Sequence, residues 1–258
     1  MVRFDNLPII KSTFPNNEKQ YDDFFDICKN KKNHKLDLIY ESNEDLFDIA
    51  IIKKWFDDNT INGANLDLVM PFCPYGQMDR KIEGSMFSFK YFAQFINSLN
   101  FTTVTIYDPH SSVMPALLNH CIVKYPMDGV YPEEYDLVFY VDNGGCKKYS
   151  EIYDYPYRYG NKKRNLDTGE IIKYEVIADK EDIQDKKILI RDDICIGGRS
   201  FKEAAKALRE MGATQVDLYI THLMKPAEEF YKNHKDYGID NFYSKNTLGM
   251  NWYGQRNL

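Results

Sequence analysis

No stretch of the chain approaches the roughly 18 consecutive apolar residues that a membrane-spanning helix requires. Mean hydropathy is -0.54, and no membrane segment is expected. The opening Met1-Val2-Arg3-Phe4-Asp5 lacks the charged-then-apolar build of a secretory leader. Cysteine is scarce: Cys28, Cys73, Cys121, Cys146 and Cys195 are five in number and scattered, with no CxxC pair. They are expected to be free thiols in a reducing cytoplasm, neither a disulfide frame nor a zinc site. Runs of five or more basic residues are also missing, and 33 Lys and Arg against 39 Asp and Glu leave a net charge of -6. Nucleic acid is therefore not an expected partner. An acidic chain still binds polyphosphate where a few cations converge and metal ions help.

What is present is an ordinary globular balance over 258 residues, 43% hydrophobic and 28% charged, enough for one large domain or two modest ones. Strand-like and helix-like stretches alternate. Strands are predicted at His34–Tyr40, Leu66–Pro71 and Val104–Tyr107, with helices over Leu46–Phe56 and Met86–Leu99. The second of these helices places Met86, Phe89, Ala93, Ile96 and Leu99 along one face. The second half repeats the theme with strands at Asp136–Val141, Lys187–Arg191 and Gln215–Ile220. Between the last two, a helix carries Phe201, Ala204, Ala205 and Leu208 on one side. Ser200 and Glu203 form a candidate capping box, and Gly212 is its stop. The tyrosine-rich stretch from Tyr149 to Asp167 shows no period and is predicted to be a long loop. Alternation of this kind argues for an α/β protein with mostly parallel sheets. A domain boundary is expected at 125/126, near Pro126-Met127-Asp128-Gly129.

The strongest local signal is Ile188-Leu-Ile-Arg-Asp-Asp-Ile-Cys-Ile-Gly-Gly-Arg-Ser200. A buried strand ends in Asp192 and Asp193, and a glycine turn then opens a helix. The crevice beyond the carboxyl ends of such strands is where open α/β sheets bind ligands. Adjacent carboxylates accept hydrogen bonds from a vicinal diol. Gly197 and Gly198 let backbone N–H groups approach a phosphate at the helix's positive end. The plain alternative is an acid-rich turn with glycines for geometry alone.

That segment resembles the phosphoribosyl-diphosphate motif of type I phosphoribosyltransferases and of ribose-phosphate diphosphokinases (PRPP synthetases). Pro74-Tyr-Gly-Gln-Met-Asp-Arg-Lys81 resembles the diphosphokinase ATP-site motif, and Tyr107-Asp-Pro-His-Ser111 resembles a metal-site segment. Asp142-Asn-Gly-Gly145 is similar to an Asp-x-Gly-Gly motif, Asn161-Lys-Lys-Arg164 to a catalytic loop, and Phe14-Pro-Asn-Asn-Glu18 weakly to an adenine-contacting segment. Five motifs in order span roughly residues 10 to 250. Simple transferases lack the first of them, so the diphosphokinases are the better match.

The resemblance implies two phosphoribosyltransferase-like domains, 1–125 for ATP and 126–258 for a ribose phosphate. It implies transfer of the β,γ-diphosphoryl group of ATP to an anomeric hydroxyl, with Mg²⁺ and release of AMP. In the first domain, Phe14, Glu18, Gln77, Asp79, Arg80 and Lys81 would take ATP. His110 and Asp142 would hold Mg²⁺, with His110, Lys162 and Arg164 catalytic. Asp192, Asp193, Cys195, Ile196, Gly197, Gly198, Arg199 and Ser200 would take the ribose and its phosphate. It also implies a homo-oligomer, a dimer or larger, because the Phe14–Glu18 segment reaches a neighbouring subunit in the family. Without the resemblance, His110 reads as an ordinary surface histidine, Lys162 to Arg164 as a solvated basic turn, and Arg80 and Lys81 as a helix flank. His34, His120 and His234 are expected to be structural.

The chain also departs from the family pattern. The 5-phosphate loop, normally Asp-Thr-Gly-Gly-Thr, reads Ile196-Gly-Gly-Arg-Ser200. An acid and a threonine hydroxyl are gone and an arginine has arrived. A compact phosphate wants converging hydroxyl and amide donors, whereas an extended diphosphate wants room and a reaching cation. ADP-ribose is therefore the favoured acceptor, narrowly ahead of ribose 5-phosphate, and its product would feed NAD synthesis. Gln77-Met78 replaces an Arg-Gln pair, removing one phosphate-facing cation. The alternatives are a type I phosphoribosyltransferase and a non-catalytic regulatory relative.

Overall fold

The computed structural model describes residues 1–22, 28, 31–60, 63–127, 129–164 and 171–248. The chain divides into two units, Met1–Tyr125 and Pro126–Leu258, each with its own sheet and core.

In the first unit, β1 (Val2–Phe4), β2 (Leu7–Pro8), β5 (Asn33–Leu38), β6 (Asn65–Met70), β7 (Val104–Tyr107) and β8 (Cys121–Lys124) form one sheet in the order β2-β1-β5-β6-β7-β8. The four strands from β5 to β8 run parallel, and β1 pairs antiparallel with β5. A separate ribbon pairs β3 (Lys11–Thr13) with β4 (Lys19–Tyr21). Helices α1 (Glu44–Asn59) and α2 (Ser88–Ser98) are the long crossovers. Right-handed crossovers of this length are what parallel strands demand. Ile49, Ile52 and Phe56 of α1 and Phe89, Phe92, Ala93 and Ile96 of α2 meet Leu36, Leu38, Leu68 and Met70 in the core. Met86 departs from the predicted stripe: it precedes α2 and is 68% exposed. Its spacing fits the stripe, but the helix begins two residues later.

The second unit orders its sheet β11-β10-β9-β12-β13-β14. Here β9 is Leu137–Tyr140, β10 Tyr157–Arg164, β11 Ile171–Ile177, β12 Lys187–Cys195, β13 Gln215–Met224 and β14 Phe242–Leu248. Five strands run parallel, and only β11 turns back on β10. Helices α3 (Asn143–Ser150) and α4 (Arg199–Glu210) flank it. Phe201, Ala204, Ala205 and Leu208 of α4 pack on Ile188, Ile190, Leu218 and Ile220, as their helical spacing predicts. Both units are thus α/β, with mostly parallel sheets flanked by helices.

Three local expectations are corrected. The stretch from Tyr149 to Asp167 is not one long loop, because Tyr157–Arg164 is a strand pairing with β9 and β11. Tyrosines at 157 and 159 alternate with polar residues, and tyrosine favours a pleated, half-covered surface; the polar composition conceals that period. Residues 165–167 of that stretch lie outside the described residues. Second, β12 does not end at the two acids but runs on to Cys195. Third, Ser200 does not cap α4: the N-cap is Gly198 at φ +75, and no side chain caps the helix. Only glycine adopts that backbone readily, and a Cβ there would lie 2.1 Å from Phe230 Cγ.

Candidate functional site

In the second unit the sheet's carboxyl ends gather the chemistry. Asp142 follows β9 and is the N-cap of α3. Its Oδ1 accepts the Gly145 N–H at 2.9 Å, and its Oδ2 lies 2.6 Å from Lys162 Nζ on β10. Burial opposes the Asp142 charge, but the Lys162 ammonium and the amides of Gly145 and Gly144 outweigh it and hold the carboxyl below its usual value. Asp192 is adjacent. A Cβ on Gly145 would sit 3.8 Å from the Oδ1 atoms of both Asp142 and Asp192, so Gly145 lies between the two carboxylates.

Asp192 behaves in the opposite way. Burial, then the charges of Asp193 and Asp142, push its carboxyl well above the ordinary range, and Lys162 only partly offsets them. The Asp193 N–H donates to Asp192 Oδ1 at 3.0 Å, and Asp193 itself is buried. Two neighbouring carboxyls are thus pushed in opposite directions by their surroundings, the pattern that makes them candidates for a functional site.

Past the acids, Cys195 is fully buried in the apolar core, and burial pushes its thiol up to about 12. Ile196 is 41% exposed, Gly197 and Arg199 are exposed, and Ser200 is half-buried. The loop therefore offers backbone amides and one cation at the start of the 12-residue α4. Lys162 projects from a strand, not from a free loop. The side chain of Arg164 lies outside the described residues.

In the first unit the assigned residues sit on exposed connections. The ribbon is tied to α1 by Lys11 Nζ at 2.7 Å and Tyr21 Oη at 2.6 Å from the Asp48 carboxylate, and Phe14 and Glu18 are exposed at its tip. Gln77, Arg80, Lys81 and His110 are exposed, and Asp79 is half-buried. The segment of Gln77 runs beside His110: a Cβ on Gly76 would lie 3.8 Å from His110 Cβ and 2.8 Å from Met114 Sδ. Tyr75, at φ +64, donates from its hydroxyl to Asn43 Oδ1 at 2.7 Å and so pins that turn. His34 is buried against Asp5, and His234 meets the Tyr231 carbonyl, both structural as expected.

Among the described residues no three His, Cys, Asp or Glu side chains cluster as a complete metal cage. Mg²⁺ does not require one: it is commonly held by one or two carboxylates with the remaining ligands from phosphates and water. Asp142, whose carboxyl is held below its usual value and so in its charged form, is a hard-oxygen donor that fits such an ion. No helix among the described residues is long and apolar enough to cross a membrane.

Sequence reasoning missed Tyr174. This β11 residue donates from its hydroxyl to the Val141 carbonyl at 3.1 Å and faces Asp142 and Asp192. It crosses β10 only because Gly160 is bare; a Cβ there would lie 2.1 Å from the Tyr174 oxygen. An isolated glycine within a tyrosine-rich run was the available signal. Arg191, buried on β12, was also missed.

Comparison with known proteins bears on the fold. The phosphoribosyl transferase domain family matches residues 157–252. The chain is 25% identical over 195 residues to a ribose-phosphate pyrophosphokinase of Hyphomonas neptunium, covering 71% of this chain and 61% of that protein. It is 26% identical over 194 residues to the enzyme of the same name from Thermosipho africanus, covering 70% and 59%. The chain thus spans about three fifths of the length of these relatives. The crystal structure of phosphoribosylpyrophosphate synthetase from Mycobacterium smegmatis superposes with a TM-score of 0.63 at 15% identity, covering 93% of this chain and 86% of that one. The chain has the two-domain α/β fold of the PRPP synthetases and is distantly similar in sequence to the ribose-phosphate pyrophosphokinases.

Proposed function

We propose that the protein transfers the β,γ-diphosphoryl group of ATP to the anomeric C1 hydroxyl of a ribose 5-phosphate unit, releasing AMP. The observation that carries this reading is the grouping of Lys162 on β10, Asp142 just after β9 and Asp192 on β12, three neighbouring strands. The sugar hydroxyl attacks the β-phosphorus, the bond from that phosphorus to the AMP oxygen breaks, and the hydroxyl proton is released. Such transfer needs little covalent help; alignment and charge stabilisation lower the barrier.

Asp192 and Asp193 accept hydrogen bonds from the ribose 2- and 3-hydroxyls and orient the ring. Lys162 exchanges its Asp142 partner for phosphate oxygens, and Arg164 is assigned the same duty. When bound, Mg²⁺ would neutralise phosphate charge; Asp142 in the second unit and, on its own unit, His110 are the residues assigned to hold it. Phe14, Glu18, Gln77, Asp79, Arg80 and Lys81 serve ATP, with Phe14 and Glu18 reaching toward a second copy. Cys195, Ile196, Gly197, Gly198 and Ser200 form the phosphate loop, mainly through backbone.

ADP-ribose is the favoured acceptor. The exposed Ile196 and Arg199 leave space and a cation where a compact phosphate would want hydroxyls. Incubation with ATP, Mg²⁺ and each sugar in turn tests this, and equal or better turnover of ribose 5-phosphate would reject the extended acceptor. A phosphoribosyltransferase reading draws support from the family match over residues 157–252. Such an enzyme consumes a diphosphorylated ribose, so AMP formation separates the two. Full activity in Lys162→Ala would favour a non-catalytic relative.

A further inference from the structure

Among the described residues of the second unit, Arg191 is the largest side chain that is completely buried, at 1% exposure, and it directly follows the apolar run Ile188, Leu189 and Ile190 of β12. Its guanidinium carbon lies 4.4 Å from the Tyr149 ring centre and 4.8 Å from that of Tyr219, so the cation is sandwiched between two π faces. One terminal nitrogen donates to the Asp192 carbonyl, and the other donates to Thr221 Oγ1 at 3.1 Å. Tyr149 belongs to α3, the helix that Asp142 caps, while Tyr219 and Thr221 belong to β13.

The position of this clamp matters. The register of β9 on β12 ends with Tyr140 opposite Arg191, whereas β13 accompanies β12 on to Cys195. From Asp192 onward the strand has lost one of its two neighbours. At that step the guanidinium grips the Asp192 backbone and holds α3 to β13. A buried cation is a poor device for stability alone, since an apolar side chain of similar volume often serves as well or better.

We propose that Arg191 is a positioning residue that fixes the backbone of Asp192 and Asp193 relative to the helix carrying Asp142. The backbone claim stands by itself. Its consequence for substrate rests on the proposed role of the acids as the sugar-diol site.

Hydrogen exchange on the full chain tests the backbone claim with no ligand present. In Arg191→Met, amides of Asp192 to Cys195 and of α3 are expected to exchange about tenfold faster, while Ile188 to Ile190 and α4 keep wild-type protection. Arg191→Lys, which keeps charge but loses the fork, should fall between. Unchanged rates at 192–195, or uniform acceleration over the whole unit, would overturn the proposal. If Arg191→Met does not fold, the near-isosteric Thr221→Val removes one anchor and is read by the same local contrast.

The substrate arm uses steady-state kinetics on the same variants. The KM for the acceptor should rise about tenfold while that for ATP stays within about twofold. Equal shifts in both would overturn the link to the acids. Absence of AMP formation by the wild-type protein would instead reject the acceptor reading and leave the exchange result to stand alone.

Discussion

The two units share an architecture and differ in where they place their charges. In the second sheet, the pairing of β9 with β10 and β12 brings Asp142, Lys162 and Asp192 together, and backbone amides of Gly145 and Asp193 donate to the two carboxylates. In the first unit, Arg80, Lys81, His110, Phe14 and Glu18 stand exposed on turns and at a ribbon tip. The ribbon and the Tyr75 turn are anchored at their bases, by Asp48 and Asn43, not at their tips. One sheet carries two neighbouring carboxyls pushed in opposite directions; the other carries exposed groups on turns and at a ribbon tip.

Substitutions can break this contrast. The largest effect is expected for Lys162→Ala, which should lower kcat by roughly 10²- to 10³-fold with KM for ATP little changed. The exposed counterpart, Arg80→Ala, should mainly raise the KM for ATP, by about tenfold. Comparable kcat losses in both would erase the distinction. Gly198→Ala should cost at least about 2 kcal/mol, because it combines a left-handed backbone with a collision against Phe230; chemical denaturation reads it. Next, Arg199→Ala should raise the KM for ADP-ribose about tenfold and that for ribose 5-phosphate by less than about threefold, the loss of one charged hydrogen bond.

The smallest effects lie in pH-dependent stability, and their signs are opposite. The folded Asp142 carboxyl titrates below its unfolded value, so its contribution is present above the unfolded pKa and is lost as pH falls through the folded one. Asp192 titrates far above its unfolded value, so its contribution is complete at acid pH and is lost as pH rises through the folded pKa. Thermal melts near neutral pH or above should therefore show Asp142→Asn destabilised and Asp192→Asn stabilised. Both shifts should shrink as pH is lowered, that of Asp192→Asn first and that of Asp142→Asn only below the ordinary carboxylate range. Shifts of the same sign would refute the opposed-carboxyl description.

Much of the fold was readable because apolar residues recur at the spacing their elements require. Phe201, Ala204, Ala205 and Leu208 announce α4, and Val104–Tyr107 announces β7, because burial on one face leaves a period in the sequence. Tyr157–Arg164 was hard to read as a strand because its alternation is carried by tyrosines among polar residues and its pairing with β9 and β11 is not local. The capping role of Ser200 failed for a related reason: close approach of Phe230 fixes where α4 begins, and that contact is distant in sequence. In the site, Asp142, Lys162 and Asp192 were marked by motif. Tyr174 and Arg191 were not, since their contacts with Val141, Asp192 and Thr221 arise only once the strands are paired.

Mass spectrometry of the products formed from ATP, Mg²⁺ and ADP-ribose bears most directly on the central claim. The account predicts AMP together with an acceptor that has gained a diphosphate at C1, both abolished in Lys162→Ala. ADP with a singly phosphorylated sugar, or an acceptor recovered unchanged with ribose 5-phosphate equally inert, would contradict it.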